Sequence, residues 1–218
     1  MDFSSVKAIT IPEGSVSSIQ IGGVTVWSSV PDVPTVSISA DDTTYSYSVT
    51  LNSRNDPIKY RVMEYAPDGT CVYGGSWKSS TTNVSSSGTG LYSYTEHVTI
   101  EAYSYRDSLV SDTVSNSATP SRTPYIDMPS ISLTDEGGGS VSCSISGTGT
   151  VYYSFDVYDD DDTRVGGDSG EGDYFSVTIT DYTDNWGKGT ANVYVSAYSE
   201  AYGITSDSDA SVIYPAFA

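Results

Sequence analysis

Four consecutive aspartates, Asp159–Asp162, are the most obvious candidate for chemistry in this sequence, because carboxylate oxygens are the ligands that Ca²⁺ prefers. Their spacing does not match the Asp-x-Asp-x-Asp-Gly loop of an EF-hand. An internal repeat, described below, aligns them with Ala66–Gly69, whose sequence is typical of a hairpin turn. We therefore interpret the run as a solvated turn and predict no metal site, with calcium binding as the alternative.

Acid–base or nucleophilic catalysis would have to use His97, because it is the only histidine. It begins a predicted strand, and the second copy of the repeat has Asn192 in its place. Two carboxylates could run a glycosidase reaction, but none of the 28 acidic side chains stands in a cleft-forming context. Gly137–Gly139 joins two predicted strands and opens no helix, unlike a phosphate-binding loop. The sequence therefore predicts a non-enzyme with no catalytic residue and no cofactor.

The 19 tyrosines are a second candidate for recognition chemistry, because flat amphipathic rings stack on sugar rings and are common in binding surfaces. Four lie on or just after the late strand of each repeat, and we take them as candidate glycan contacts: Tyr103, Tyr105, Tyr198 and Tyr202. The alternative is cross-strand pairing that stabilises exposed sheet faces, which the wide spread of tyrosine favours. Trp77 and Trp186 lie in predicted loops and are weaker recognition candidates.

Acidic side chains dominate the charge of the chain. With 28 acidic and 9 basic residues the net charge is −19, which repels phosphate backbones and anionic membrane surfaces. Residues 123–218 alone carry sixteen acids and two bases. No run of about 18 apolar residues could span a bilayer, and Met1–Ser5 does not begin a secretory signal. We therefore expect no nucleic-acid or membrane partner, and folding in a cytoplasm.

An internal repeat organises most of the chain. Three segments recur further along, the first two at an offset of 95 residues and the third at 93: Pro34–Ser39 as Pro129–Thr134, Val98–Ser104 as Val193–Ser199, and Ile58–Val62 as Val151–Phe155. The offset changes by only two residues over a repeat of about 90 residues, which indicates a duplicated domain.

Each copy consists of short segments in which apolar and polar side chains alternate, the period of a half-buried strand. About six such strands per copy can bury their apolar faces only by stacking two sheets. The sequence therefore predicts an all-β fold of two tandem immunoglobulin-like β-sandwiches, preceded by a β-hairpin segment. The predicted boundaries are 1–30 for the hairpin and linker, 31–122 for the first sandwich and 123–218 for the second.

The order of these strands resembles that of fibronectin type III and bacterial immunoglobulin-like modules. The resemblance rests on the Pro-x-Val-x-Ile that begins at Pro34, and on the late strand Val98–Ser104 with its Ser/Asp-rich successor. It covers residues 33–120 and 128–215 and implies a fibronectin type III-like sandwich in each. The chain departs from the antibody pattern because it lacks the disulfide between the two sheets.

The first 30 residues lie outside the repeat. Ser17–Ile21 and Val24–Trp27 alternate on either side of Gly22-Gly23, a strong hairpin signal. A lone hairpin is only marginally stable in water, so this one either packs on the first sandwich or binds another protein. The apolar residues predicted to make that attachment are Ile9, Ile11, Ile19, Ile21, Val24, Val26 and Trp27.

The run Val6–Val16, followed by Ile19–Trp27, resembles the head segment of many tailed-phage virion proteins of Gram-positive hosts. In those proteins such a segment precedes accessory immunoglobulin-like domains. The resemblance implies a bacteriophage structural protein, a capsid decoration or tail appendage that is made in the host cytoplasm and located in the virion.

Other capsid or tail proteins would be the partners of such a protein. The displayed sandwiches could adhere weakly to host-surface carbohydrate, with copies arranged as homotrimers or singly on a lattice. The alternative function, from a different class, is a bacterial surface adhesion or carbohydrate-binding module.

Overall fold

The computed structural model describes residues 18–21, 24–28, 30–159, 161–178 and 192–215. Regular structure in these ranges is entirely β-strand, which confirms the predicted all-β class. No helix in this part of the chain is long and apolar enough to cross a membrane. The described residues divide into two compact units, one containing those up to Met63, Tyr73–Gly90 and Val98–Thr119, and the other Glu64–Val72, Leu91–His97 and those from Pro120 on.

Between residues 30 and 119 the chain forms a first sandwich of two antiparallel sheets. Its strands are β3 (Thr35–Ala40), β4 (Thr44–Thr50), β5 (Ile58–Tyr65), β6 (Cys71–Gly74), β7 (Lys78–Ser80), β8 (Val84–Thr89), β9 (His97–Arg106), β10 (Leu109–Val110) and β11 (Val114–Ala118). One sheet has the order β3-β4-β8. The other has the order β10-β9-β5-β6, with β7 paired to β5 and β11 paired to β9.

The second sandwich repeats this arrangement in the described residues from 130 to 213. Its strands are β12 (Ser130–Gly137), β13 (Ser140–Ser146), β14 (Thr150–Tyr158), β15 (Arg164–Glu171), β16 (Tyr174–Thr178), β17 (Asn192–Ala201), β18 (Ile204–Thr205) and β19 (Asp209–Ile213). One sheet has the order β12-β13-β16, and the other has the order β15-β14-β17-β18, with β19 paired to β17. Two tandem fibronectin type III-like sandwiches, as predicted, are therefore confirmed.

The core of each sandwich is made by the inward positions of the alternating strands. In the first sandwich Val49 of β4 is fully buried, as are Ile58 of β5 and Ile100 of β9. In the second sandwich the buried cluster draws on both sheets: Val141, Cys143, Ile145, Val151, Phe155, Val157, Phe175, Val177, Val193, Val195 and Ala197. Burial of these apolar faces, at about 25 cal/mol per Å², is the main force that holds the sheets together.

A two-stranded sheet precedes the sandwiches, as the hairpin signal predicts. β1 (Ser18–Ile21) and β2 (Val24–Ser28) pair antiparallel, with Ile21 opposite Val24 and a register irregularity between Ile19 and Gln20. The Gly22-Gly23 turn between these strands lies outside the described residues.

Asp159 and Asp162 of the four-aspartate run belong to a hairpin turn with the same hydrogen bonds as its repeat counterpart. The Asp159 N–H donates to Thr163 O, and the Asp162 N–H donates to Asp159 O. In the first sandwich the Ala66 N–H donates to Thr70 O in the corresponding way. Asp162 has φ 56°, the left-handed conformation that glycine provides in the first copy. The predicted turn is confirmed.

Candidate functional site

The predicted attachment residues lie mostly where only backbone is described. Ile9 and Ile11 lie outside the described residues. The other five fall on the two-stranded sheet: Ile19 and Ile21 on β1, and Val24, Val26 and Trp27 on β2. Ile19 is opposite Trp27 in the register of the sheet. Their role in attachment remains a prediction.

In the first sandwich the outer face of the β5–β9 sheet carries an aromatic and cationic cluster. Tyr103, a predicted glycan contact on β9, meets Trp77 edge to face, with ring centroids 5.0 Å apart. The Arg61 guanidinium lies over the Trp77 ring, 4.7 Å from its centroid. Arg61 also forms an ion pair with Glu101, with 2.7 Å between Nη2 and Oε2. The indole therefore covers this part of the face.

Tyr105, the other predicted contact on β9, lies under a second cation on the same face. The Lys59 ammonium is 5.9 Å from the centroid of its ring. Tyr103 and Tyr105 are thus brought together on one outward face, as the strand phase predicts, and each already has an aromatic or cationic neighbour. Both the glycan-contact prediction and the cross-strand alternative are compatible with this arrangement.

In the second sandwich Tyr198 stacks against Tyr152 of the neighbouring strand. Their ring centroids are 5.1 Å apart, with an interplanar angle of 21°. Burial raises the pKa of the Tyr152 hydroxyl, and the Glu200 and Glu171 carboxylates raise it further. The phenol therefore stays protonated near neutral pH, where it can both donate and accept hydrogen bonds.

Beside this tyrosine pair the outer sheet face forms a groove of about 440 Å³. Its floor and walls come from β14, β15 and β17: Tyr152, Tyr153, Ser154, Ser169, Gly170, Glu171, Ser196 and Tyr198. The Ser154 and Ser196 hydroxyl oxygens are 2.8 Å apart. Volumes of this size are typical of small-molecule pockets.

A second concavity of about 420 Å³ lies on the same sheet. Tyr194, Val212 and Tyr214 line it, with exposed fractions of 41%, 45% and 65%. Large side chains exposed to this extent are common at binding surfaces. The β14–β17 sheet of the second sandwich therefore holds two concavities lined by tyrosine.

Tyr202, the fourth predicted glycan contact, is separate from these grooves. It lies in the turn between β17 and β18, with φ 57°. Its ring stacks on Tyr94 within the second compact unit, with centroids 4.3 Å apart. The structure thus gives Tyr202 a stacking partner and does not bring it together with Tyr198.

His97 has the surroundings of a structural residue. Its ring stacks on Tyr65, with centroids 5.0 Å apart and an interplanar angle of 15°. Its Nδ1 is 3.4 Å from Glu96 Oε2, in a partly exposed setting. Within the described residues its hydrogen-bonding neighbour is this carboxylate and not a serine hydroxyl or a cysteine thiol. His97 is thus a stacked, partly exposed ring, and its non-catalytic role stays a prediction.

The acidic turn uses its first carboxylate to order its own backbone. Asp159 Oδ1 accepts hydrogen bonds from the N–H groups of Asp161 and Thr163, at 3.0 and 2.9 Å. In the described part of the chain no three His, Cys, Asp or Glu side chains are grouped to hold a metal ion.

Among the described residues two carboxylates are buried, Asp56 and Glu64, and their pKa values are shifted in opposite directions. Burial by itself raises the pKa of Asp56, but hydrogen bonds from Arg106 and Asn52 outweigh it and hold that pKa below its ordinary value. Burial raises the pKa of Glu64 above its ordinary value, despite the hydrogen bond that the Thr95 hydroxyl donates to it at 3.0 Å. Neither carboxylate lines the grooves described above.

The sequence did not single out Tyr152 or Ser154 as members of a site, and it indicated Trp77 only as a weaker recognition candidate. The available signal was the repeat, which places Tyr103 and Tyr198 at equivalent positions of the late strand. Which residues of the preceding strand lie beside them depends on strand register, which the repeat does not supply.

Comparisons with known proteins were made on sequence and on structure. No family model matches the chain, and no curated protein matches it. Solved structures that match include a two-domain fibronectin type III segment of chicken tenascin, at 15% identity and a TM-score of 0.38, covering 84% of this chain and 99% of that chain.

Two further matches are chicken proteins. The interferon gamma receptor alpha chain is 13% identical with a TM-score of 0.33, covering 85% of this chain and 99% of that one. The FN1–FN3 domains of CNTN1 are 8% identical with a TM-score of 0.30, covering 88% and 67%. What is established for this chain is the fold read from its own strand order, a tandem of two fibronectin type III-like sandwiches.

Proposed function

We propose that this chain is a non-catalytic structural protein of a bacteriophage particle, a capsid decoration or tail appendage. Its N-terminal hairpin attaches to other virion proteins, and its two sandwiches are displayed to make weak contacts with host-surface glycans. The observation that carries the proposal is the separate two-stranded sheet formed by β1 and β2 ahead of the sandwiches.

A two-stranded sheet is a poor independent structure. Among the described residues each strand has a ladder partner on one side only, and the N–H and C=O groups of an open strand edge pair with another strand or with water. β2 has apolar side chains at Val24, Val26 and Trp27, and Trp27 is opposite Ile19 of β1, a composition that suits addition to a partner sheet. Addition of β2 to a strand of another virion protein is the mode of attachment that we propose.

The strong negative charge supports display in many copies. The net charge is −19, and the second repeat carries most of it. Like charges on neighbouring copies repel each other and reduce nonspecific contact with anionic surfaces. Many copies would in turn multiply a weak single-site affinity for a glycan.

A second function has its own supporting observation. The tyrosine-lined concavities of the second sandwich do not depend on the N-terminal hairpin. A bacterial surface adhesion or carbohydrate-binding module would use the same face. The two functions differ in whether the protein is found on particles.

Removal of residues 1–29 separates the two functions. The full chain and the truncated chain are each added to particles that lack the protein, and the bound fraction is measured by sedimentation. We expect the full chain to co-sediment and the truncated chain to stay in the supernatant. Trp27→Asp should weaken binding in the same direction, whereas Trp77→Ser, which changes the first sandwich only, should not. Equal sedimentation of full and truncated chains would refute the attachment role.

A further inference from the structure

The two sandwiches have different residues in one row of side chains on their outer face. In the first sandwich, Tyr60 of β5 is opposite Lys78 of β7, so Trp77 occupies the next register position, beside Arg61. Arg61 is joined across the sheet to Glu101 of β9 by an ion pair. This row of three large side chains fills the surface above strands β7, β5 and β9.

The same row of the second sandwich consists of three serines. Ser154 corresponds to Arg61 at the repeat offset of 93, and Ser196 corresponds to Glu101 at 95. Ser154 is opposite Ser169 on one neighbouring strand and opposite Ser196 on the other. Small hydroxyl groups thus replace an indole, a guanidinium and a carboxylate, and the 440 Å³ groove lies above them.

One wall of the groove keeps the tyrosine that meets the indole in the first copy. Tyr198 is the repeat counterpart of Tyr103, which packs against Trp77. In the second copy Tyr152 also stands beside Tyr198. Glu171 lines the groove and is opposite Tyr152 in the sheet register. The site therefore combines two aromatic rings, three hydroxyls and a carboxylate.

We propose that this groove binds a neutral sugar residue of a glycan chain, in the place that Trp77 covers in the first sandwich. The inference rests on the proposed glycan adhesion and assigns it to one face of one sandwich. A pyranose is a ring with apolar faces and a hydroxyl-bearing rim. Its face packs against the Tyr152–Tyr198 pair, and its hydroxyls hydrogen-bond the serines and Glu171.

Charge selects against an anionic ligand. Glu171 lines the groove, and Glu200 lies close enough to Tyr152 to raise the pKa of its hydroxyl. No lysine or arginine is among the described residues that line the groove. A carboxylated or phosphorylated sugar would therefore be repelled, whereas a neutral sugar gains a charged hydrogen-bond acceptor.

The test uses the full chain and four separate probes: cellohexaose, maltohexaose, hexa-N-acetylchitohexaose, and the hexasaccharide of polygalacturonic acid as the anionic control. Binding is followed by NMR chemical shifts and by calorimetry, up to about 10 mM saccharide, because a single exposed site is expected to bind near the millimolar range. We expect at least one neutral hexasaccharide to shift resonances of residues 152–154 and 196–198, and the anionic one to shift none of them.

Three variants locate the site. Tyr198→Ala should weaken binding about tenfold through loss of ring stacking. Ser169→Trp should abolish it by placing an indole in the groove, as in the first sandwich. Tyr125→Ala, which removes a tyrosine that is 51% exposed and lies outside the groove lining, should leave binding unchanged. Circular dichroism and thermal melting confirm that each variant is folded.

The possible results test the groove assignment, the ligand class and particle attachment separately. If a neutral saccharide binds and neither Tyr198→Ala nor Ser169→Trp reduces its affinity, the groove assignment is wrong while glycan adhesion stands. If no neutral hexasaccharide binds, or if the anionic one binds as well, the proposed ligand class is wrong. Particle attachment is measured independently by the sedimentation experiment with the truncated chain, so failure of the groove and failure of attachment are distinguishable.

Discussion

The Arg106 guanidinium contacts both carboxylate oxygens of Asp56, with Nη2 2.7 Å from Oδ1 and 2.7 Å from Oδ2. The Arg106 Nε–H donates a further hydrogen bond to Oδ1 at 2.9 Å. Asn52 completes the site, because its side-chain amide donates to Oδ2 and its carbonyl oxygen accepts from the Asp56 N–H. This network ties the end of β9 to the loop that precedes β5 in the first compact unit.

Asp56→Asn should destabilise the first sandwich by about 2 kcal/mol, because a charge-assisted hydrogen-bond pair at a mostly buried carboxylate is lost. The folded-state pKa of Asp56 lies below the unfolded one, so its contribution is complete above the unfolded value of about 3.8. It is lost as the pH falls through the folded pKa. Urea unfolding between pH 7 and pH 2 measures this. A variant that loses the same stability at pH 2 as at pH 7 would show that the ion pair contributes nothing.

The effect of Glu64→Gln on the free energy of unfolding should have the opposite dependence on pH. Burial raises the folded pKa of Glu64 above the unfolded value, so ionisation is unfavourable in the folded state. The cost is absent below the unfolded pKa and appears as the pH rises through the folded one. We therefore expect the variant, compared with the parent by urea unfolding, to gain stability on going from pH 4 to pH 7. The amide oxygen of the substituted side chain can still accept from Thr95, so a loss of stability that is independent of pH would contradict the explanation.

Trp77→Ala should lower the stability of the first sandwich by about 1 kcal/mol, through loss of the Arg61 cation–π contact and the edge-to-face contact with Tyr103. Thermal melting should show a fall in Tm of about 2–4 °C if the transition is a single one. The matched control is Tyr125→Ala, which removes a ring that is 51% exposed. Equal shifts in the two variants would mean that the stacked cluster adds no stability.

Substitutions at two glycines of the second sandwich allow the cost of backbone strain to be measured apart from the cost of a steric clash. A Cβ on Gly167 (φ +155°) would lie 2.3 Å from the carbonyl oxygen of Phe155, whereas one on Gly172 (φ +140°) would meet nothing within 4 Å. Gly167→Ala should therefore destabilise by about 2 kcal/mol or more, and Gly172→Ala by the smaller amount that comes from strain alone. Denaturant titration of the two variants compares them. A larger loss for Gly172→Ala would contradict the register of β14 and β15.

The two cysteines should differ sharply in reactivity. Cys143 is fully buried in the second core, and burial raises the pKa of its thiol to about 11. Cys71 is exposed on β6. Because the thiolate is the reactive form, iodoacetamide at pH 8 should label Cys71 in the native protein and label Cys143 only after unfolding. Cys71→Ser supplies the control, and rapid native labelling of that variant would show that the second core is open.

Local patterns in the sequence are enough to predict the strands and the face on which each side chain lies. Alternation with period two is a local property, so the pattern alone assigns Val141 and Val195 to a core, where they are buried, and Tyr103 and Tyr198 to an outward face. The hairpin at Gly22-Gly23 and the turn at Asp159–Asp162 were likewise predicted, because turn geometry depends on a few consecutive residues.

Which outward residues are neighbours depends on the folded chain as a whole. Ser154 and Ser196 are 42 residues apart, and a shift of the register between their strands by two positions would keep both outward but pair them with other residues. The register between strands joined by long connections is set by the packing of the whole core. A local sequence pattern therefore does not predict it. For that reason the Trp77 cluster and the groove in the second sandwich became visible only in the folded chain.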